Sequence, residues 1–181
     1  NLCPRNCNAL RTDSENIGGY CKMPSNPKLA HVQLHFWEEP IISGKNGSGT
    51  IFFSGCSLGC VFCQNNEISH KNFGKKISVE RLAEIFKELE SKGAHNINLV
   101  NPTHYIDAIE KAIDIYKPKI PIVYNSGGFD TEDQIVGASK FTDIFLMDYK
   151  YRSNIRAKKY SKAENYPQVA EIAILKCAEI V

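Results

Sequence analysis

Thr50-Ile51-Phe52-Phe53-Ser54-Gly55-Cys56-Ser57-Leu58-Gly59-Cys60-Val61-Phe62-Cys63 is the stretch on which the fold turns. Its first part, Thr50 to Ser54, is a β-branched and aromatic run that stops at Gly55, the signature of a short buried strand. Its second part is a loop that carries three cysteines in a C-x3-C-x2-C spacing. Three thiolates on one tight loop can face a common centre, and soft thiolates select zinc, copper(I) or iron–sulfur clusters. A structural zinc takes four protein ligands, whereas three leave an open position. The spacing also differs from the bacterial and plant-type ferredoxin patterns. Cys56, Cys60 and Cys63 are therefore expected to hold a [4Fe-4S] cluster with one iron free of protein ligation; the rival readings are buried free thiols, or three of four zinc ligands.

Downstream of the loop the pattern alternates. Ser78 is placed to cap a helix whose apolar positions Val79, Leu82, Ala83, Phe86 and Leu89 recur at helical spacing, with Glu80 in its first turn and Gly93 past its end. Ile97 to Val100 reads as a strand, and Ile106, Ile109, Ile113 and Tyr116 as one face of a helix stopped before Pro118. Ile122 to Tyr124 is a further strand, Thr131 to Gln134 a capping box, Ile144 to Met147 another strand, and Val169 to Ile180 a last helical pattern. Strands and helices in turn make βα units and a parallel sheet, four of them here, so the fold class expected is α/β. In such sheets the site lies at the carboxyl ends of the strands. Gly55 to Gln64, Asn101 to His104, Asn125 to Gly128 and Asp148 to Lys150 are the segments that follow the four strands, and all are polar.

The rest of the composition narrows the class. At 181 residues the chain suits one core, and 43% hydrophobic with 23% charged residues is an ordinary globular balance that excludes disorder. No apolar run approaches the roughly 18 residues a membrane span needs, so no membrane association is expected. A net charge of +2 argues against a polyanion-binding surface and so against nucleic acid. The basic run from Lys150 to Lys162 reads as a solvated face. Seven cysteines without a recognisable signal peptide point to a reducing, cytoplasmic setting in which clustered thiols bind metal or do chemistry. Residues 1–48, rich in Asn, Gly, Pro and Ser, read as a loop-rich extension with Cys3, Cys7 and Cys21, and residues 49–181 as the core.

With these strings in view, the chain resembles the radical S-adenosylmethionine superfamily, and within it proteins similar to the pyruvate formate-lyase activating enzyme. The resemblance rests on Cys3-Pro4-Arg5-Asn6-Cys7, on Gly47 to Cys56, on Cys63-Gln64-Asn65, on Asn96 to His104, on Pro121 to Asn125 and on Asp148-Tyr149-Lys150-Tyr151. It implies a partial (βα)6 barrel, of which the alternation looks like the first four units. It implies that Cys56, Cys60 and Cys63 ligate three irons, and that S-adenosylmethionine chelates the fourth and is cleaved reductively to a 5'-deoxyadenosyl radical. No catalytic side chain beyond the cluster is implied.

Several residues gain roles from the same resemblance. Phe62 matches an aromatic position near the adenine, with core packing as its other reading. Many members carry a Gly-Gly-Glu segment after the second strand, where this chain has Asn101-Pro102-Thr103-His104. Asn101, Thr103 and His104 are candidates there, although Thr103 equally suits the N-cap of the next helix and His104 a structural place. Asp148 and Lys150 match an Asp-x-Lys that faces the cofactor, against the reading of a surface ion pair, and Asn125 suits ribose or carboxylate contacts. The implied partners are a glycyl radical enzyme as substrate and a flavodoxin- or ferredoxin-type electron donor. A radical reaction on another protein or small molecule, or an iron–sulfur or zinc binding module without catalysis, stand as alternatives. Cys3, Cys7 and Cys21 are either part of a second metal site short of a ligand or free thiols, and Cys177 reads as a buried thiol. Because such a barrel needs six strands, and the chain begins without Met and ends inside a helix, a fragment is expected.

Overall fold

The structure, a computed structural model, describes residues 2–181. Near the start two short strands, β1 (Leu10–Arg11) and β2 (Asn16–Ile17), pair antiparallel. The main sheet opens with β3 (Lys28–His35), which runs antiparallel to β4 (Ser48–Phe53) after the short helix α1 (Pro40–Ser43). The cysteine loop leads into α2 (Asn66–Ser69) and β5 (Lys75–Lys76), which borders β3. Then follow α3 (Val79–Ser91), β6 (Ile97–Val100), α4 (Ile106–Ile115), β7 (Ile122–Ser126), α5 (Glu132–Ser139), β8 (Ile144–Met147), α6 (Asn154–Ser161) and α7 (Tyr166–Ile180). The sheet order is β5-β3-β4-β6-β7-β8, with β4, β6, β7 and β8 mutually parallel. It is a mixed α/β fold with a parallel-rich sheet, in which the parallel strands follow one another in chain order.

Local chemistry explains the helices that the periodicity predicts. Ser78 accepts from the Arg81 N–H at 3.2 Å and starts α3, whose Leu82, Ala83, Ile85, Phe86 and Leu89 are buried. Thr131 and Gln134 complete the capping box on α5. The helices pack in succession, α3 on α4, α4 on α5 and α5 on α7, over a core that includes Ile51, Phe53, Leu99 and Tyr124. Burying side chains of this size contributes about 1.5 to 3 kcal/mol each.

Three parts of the chain add to or differ from the sequence reading. Lys28–His35 is not loop: Leu29, Val32 and Leu34 pair with Phe53, Ile51 and Gly49. His31, Gln33 and His35 alternate with Val32 and Leu34, the pattern of a half-buried strand, which the loop-like composition of residues 1–48 masks. The basic stretch before Lys162 folds as the helix α6, and its Arg156, Lys158 and Lys159 are exposed, as a solvated face would be. Thr103 is not the N-cap of α4; that position is Tyr105, which makes no side-chain cap bond. Among the described residues no helix is long and apolar enough to cross a membrane.

Candidate functional site

The parallel strands all deliver their carboxyl ends to one cavity of about 520 Å³. Its wall carries Cys56, Cys60 and Cys63 from the loop after β4, Asn101 and Thr103 from the segment after β6, Asn125 from β7, and Asp148 and Lys150 from beyond β8. Five of the seven residues proposed from sequence for cofactor binding thus meet the three thiols.

Gly55 turns the chain from β4 into the loop with φ +76°, and a Cβ there would run into Met23 Cγ. Gly59, at φ +61°, leaves no room for a Cβ beside the Tyr20 hydroxyl at 2.6 Å. The loop therefore needs glycine at both positions, for the left-handed backbone and for space. The Gly59 N–H points at Cys56 Sγ at 3.4 Å. Burial pushes the Cys56 thiol up to about 11, against the lowering by the Gly59 and Leu58 N–H groups, so a bound metal would have to displace its proton. Cys60 is turned inward: its sulfur accepts from the Ser161 hydroxyl at 3.1 Å, and Ser161 shares a 2.6 Å hydrogen bond with the Tyr151 hydroxyl.

Among the described residues no three His, Cys, Asp or Glu side chains converge closely enough to hold a metal ion. Cys56, Cys60 and Cys63 line the cavity wall instead. A single zinc would draw its sulfurs to about 2.3 Å of one centre, whereas an iron–sulfur cluster spreads its thiolates over several irons. Three soft donors around one polar cavity therefore fit a cluster better than a lone ion.

Asn101 takes the left-handed conformation at φ +59°, which asparagine tolerates better than most residues, and its amide donates to the Gly55 carbonyl. Its own N–H donates to the Asn125 carbonyl at 2.8 Å, extending the parallel pairing into the site. Asp148 and Lys150 form an ion pair at 2.5 Å and both are exposed on the cavity rim, so the surface pair and the cavity position are the same arrangement.

Two candidates lie elsewhere. Phe62 is 57% exposed and stands edge-on to Tyr151 and Tyr160, outside the cavity wall. His104 is buried away from the cavity, its Nε2 hydrogen-bonded to the Ser54 carbonyl at 2.8 Å. Burial lowers its pKa to about 4, so it is neutral at ordinary pH.

Two residues that matter to the site escape sequence reasoning. Asp130 is fully buried just past β7, where it accepts from the Tyr124 hydroxyl at 2.8 Å and from the Ser126 hydroxyl. Burial raises its pKa in spite of these bonds. It fixes Ser126, on the cavity wall. Arg5 donates at 2.5 to 2.8 Å to the carbonyls of Ser57, Leu58, Ser161 and Lys162, and its guanidinium lies 3.8 Å over the Tyr20 ring. It clamps the cysteine loop to the end of α6. Its only sequence signal is its place between Cys3 and Cys7.

Comparison with known proteins agrees with this geometry. The family model described as Radical SAM superfamily matches residues 50–170, which span β4 to the first part of α7. A protein of Methanocaldococcus jannaschii described as "Uncharacterized protein MJ0674" is similar over 174 residues at 30% identity, covering 91% of this chain and 49% of the relative. The chain thus spans about half the length of the curated relative it matches.

Proposed function

The chain belongs to the radical S-adenosylmethionine superfamily, whose members use a [4Fe-4S] cluster and S-adenosylmethionine, and we propose that it is an activating enzyme similar to that of pyruvate formate-lyase. Its reaction is the abstraction of hydrogen from a glycine of a partner enzyme. The cavity on which Cys56, Cys60 and Cys63 meet Asn101, Thr103, Asn125, Asp148 and Lys150 is the observation that carries the reading. The chain-order succession of parallel strands supports an arc of the superfamily's (βα) barrel, of which residues 49–181 are the core.

Cys56, Cys60 and Cys63 are the residues that hold the cluster. Once bound, the cluster supplies the electron that cleaves the sulfonium of S-adenosylmethionine. The protein's own groups supply placement. Lys150, on the rim, offers a cation to the carboxylate of the cofactor, and Asp148 keeps that ammonium over the cavity through their ion pair. The carbonyl oxygens of the Asn101 and Asn125 side chains and the Thr103 hydroxyl offer acceptors for its ammonium and hydroxyl groups. A protein substrate, rather than a small one, is supported by Trp37 and Ile41. They are 88% and 91% exposed and flank Glu38 and Glu39 on the cavity rim, where an exposed apolar patch suits docking.

The test is anaerobic reconstitution with iron and sulfide, then addition of dithionite and S-adenosylmethionine. 5'-Deoxyadenosine is expected, with a glycyl radical signal when the partner enzyme is added. A cluster-bearing protein that releases no 5'-deoxyadenosine overturns the catalytic reading. One that releases it yet radicalises no glycine enzyme overturns the activating type alone.

A further inference from the structure

A second group of thiols lies in the N-terminal segment, which the cavity above does not use. Cys3, Cys7 and Cys21 line a separate cavity of about 150 Å³ together with Arg11, Asn16 and His104. All three are free thiols, Cys7 exposed and Cys3 and Cys21 partly buried. The backbone around them is sharply turned. Asn6 and Asn8 both take φ of +46° on either side of Cys7, Lys22 takes +59° just after Cys21, and the Asn6 N–H closes a turn on the Cys3 carbonyl at 3.2 Å.

His104 supplies the independent observation. It is 4% exposed, and its Nε2 bonds the Ser54 carbonyl, which can only accept. That bond assigns the proton to Nε2 and leaves Nδ1 as a lone-pair donor. Nδ1 is buried and has no hydrogen-bond partner. An orphaned buried nitrogen is costly unless something binds it. An imidazole with one nitrogen anchored on a carbonyl and the other free is how histidine is prepared for a metal. Arg11, on the same wall, offsets the negative charge that three thiolates would bring.

We propose that Cys3, Cys7, Cys21 and His104 form a second metal centre, three thiolates and one imidazole, distinct from the Cys56 loop. The four donors share a wall without converging on one point, so binding draws the Cys3 to Cys7 turn inward for zinc, or bridges the gap for an iron–sulfur cluster. Cys7 and Cys21 also line a cavity of about 630 Å³ with Cys56 and Gly59, so the second centre lies against the loop that holds the first.

The test counts metal in the full-length protein purified without oxygen, and after reconstitution with zinc alone or with iron and sulfide. C56S/C60S/C63S is expected to keep about one zinc, or the absorbance and sulfide of one cluster, per chain. Adding C3S/C7S/C21S removes it, and H104A weakens retention at least tenfold against a chelator while far-ultraviolet circular dichroism stays unchanged. Should C56S/C60S/C63S fail to fold, the wild type is compared with C3S/C7S/C21S, and one centre's worth of metal is lost. Equal metal content in that pair overturns the proposal, as does a folded C56S/C60S/C63S protein that binds neither zinc nor iron. Neither result bears on 5'-deoxyadenosine release, so this inference and the proposed function fail separately.

Discussion

Replacing Asp130 separates the cost of its charge from the value of its hydrogen bonds. The side chain is fully buried and receives hydroxyls from Tyr124 and Ser126. Asp130→Ala leaves those two hydroxyls without an acceptor, at about 1 to 3 kcal/mol for a buried group, so a loss of about 2 kcal/mol or more is expected. Asp130→Asn keeps the shape, and the hydroxyls can turn to meet its amide. The raised pKa of Asp130 means that burial disfavours the ionised form more than the hydroxyls favour it. D130N therefore stays within about 1 kcal/mol of wild type at pH 7. The sign of the pH effect follows. Because the folded pKa lies above the unfolded one, the folded protein binds this proton more tightly. The group then adds stability to the wild type as pH falls through the folded value towards 3.8, and D130N lacks that gain. Urea unfolding of both variants and wild type under reducing conditions, repeated from pH 7 to pH 4, measures this. A D130N protein as unstable as D130A at pH 7, or a wild-type advantage over D130N that shrinks as pH falls, would refute the reasoning.

Other changes test the site and the core more directly. Ser in place of Cys56, Cys60 or Cys63, one at a time, should abolish the iron–sulfur absorbance of the loop centre and release of 5'-deoxyadenosine together, read by metal analysis and chromatography. Gly55→Ala forces a Cβ against Met23 in a left-handed turn, and backbone strain alone costs about 1 to 2 kcal/mol, so a lower unfolding midpoint and poorer cluster uptake are expected. Arg5→Lys cannot reproduce a guanidinium that reaches four carbonyls, and loss of its charge-assisted bonds should cost about 2 kcal/mol or more, measured by denaturant unfolding. Leu99→Ala empties a fully buried position in the middle of the sheet and should cost about 2 to 5 kcal/mol by the same assay.

What can be read in the sequence is what depends on neighbours along the chain. Ser78 before Val79 and Thr131 before Gln134 declare their helices locally, and the structure gives both caps. The C-x3-C-x2-C spacing likewise needs no tertiary context to suggest a metal. The strand at Lys28–His35 carries its own alternation, His31 and Gln33 out against Val32 and Leu34 in, but it lies in an Asn-, Gly-, Pro- and Ser-rich stretch whose composition reads as loop, and a register shift between Leu29 and His31 breaks its phase. Asp130 reads as one more polar residue before a helix cap until Tyr124 and Ser126 close round it. Arg5 is harder still, since its partners are main-chain carbonyls that carry no side-chain signature. Neither residue stands among the sequence candidates, and His104, which does, fails to reach the wall of the cavity expected for it.

Arg5 joins the cysteine loop, 52 and 53 residues away in sequence, to Ser161 and Lys162, 156 and 157 residues away. Contacts this distant form late, after the entropy of closing the intervening chain has been met. On a ribosome that adds about 5 to 20 residues per second, the interval between synthesis of Cys63 and arrival of Lys162 is on the order of ten seconds. Through that interval the thiols of a nascent chain lie on an unlatched segment, open to oxygen and to whichever thiophilic metal is at hand. Oxygen sensitivity and metal misloading are thus hazards of the protein's synthesis as well as of its working life.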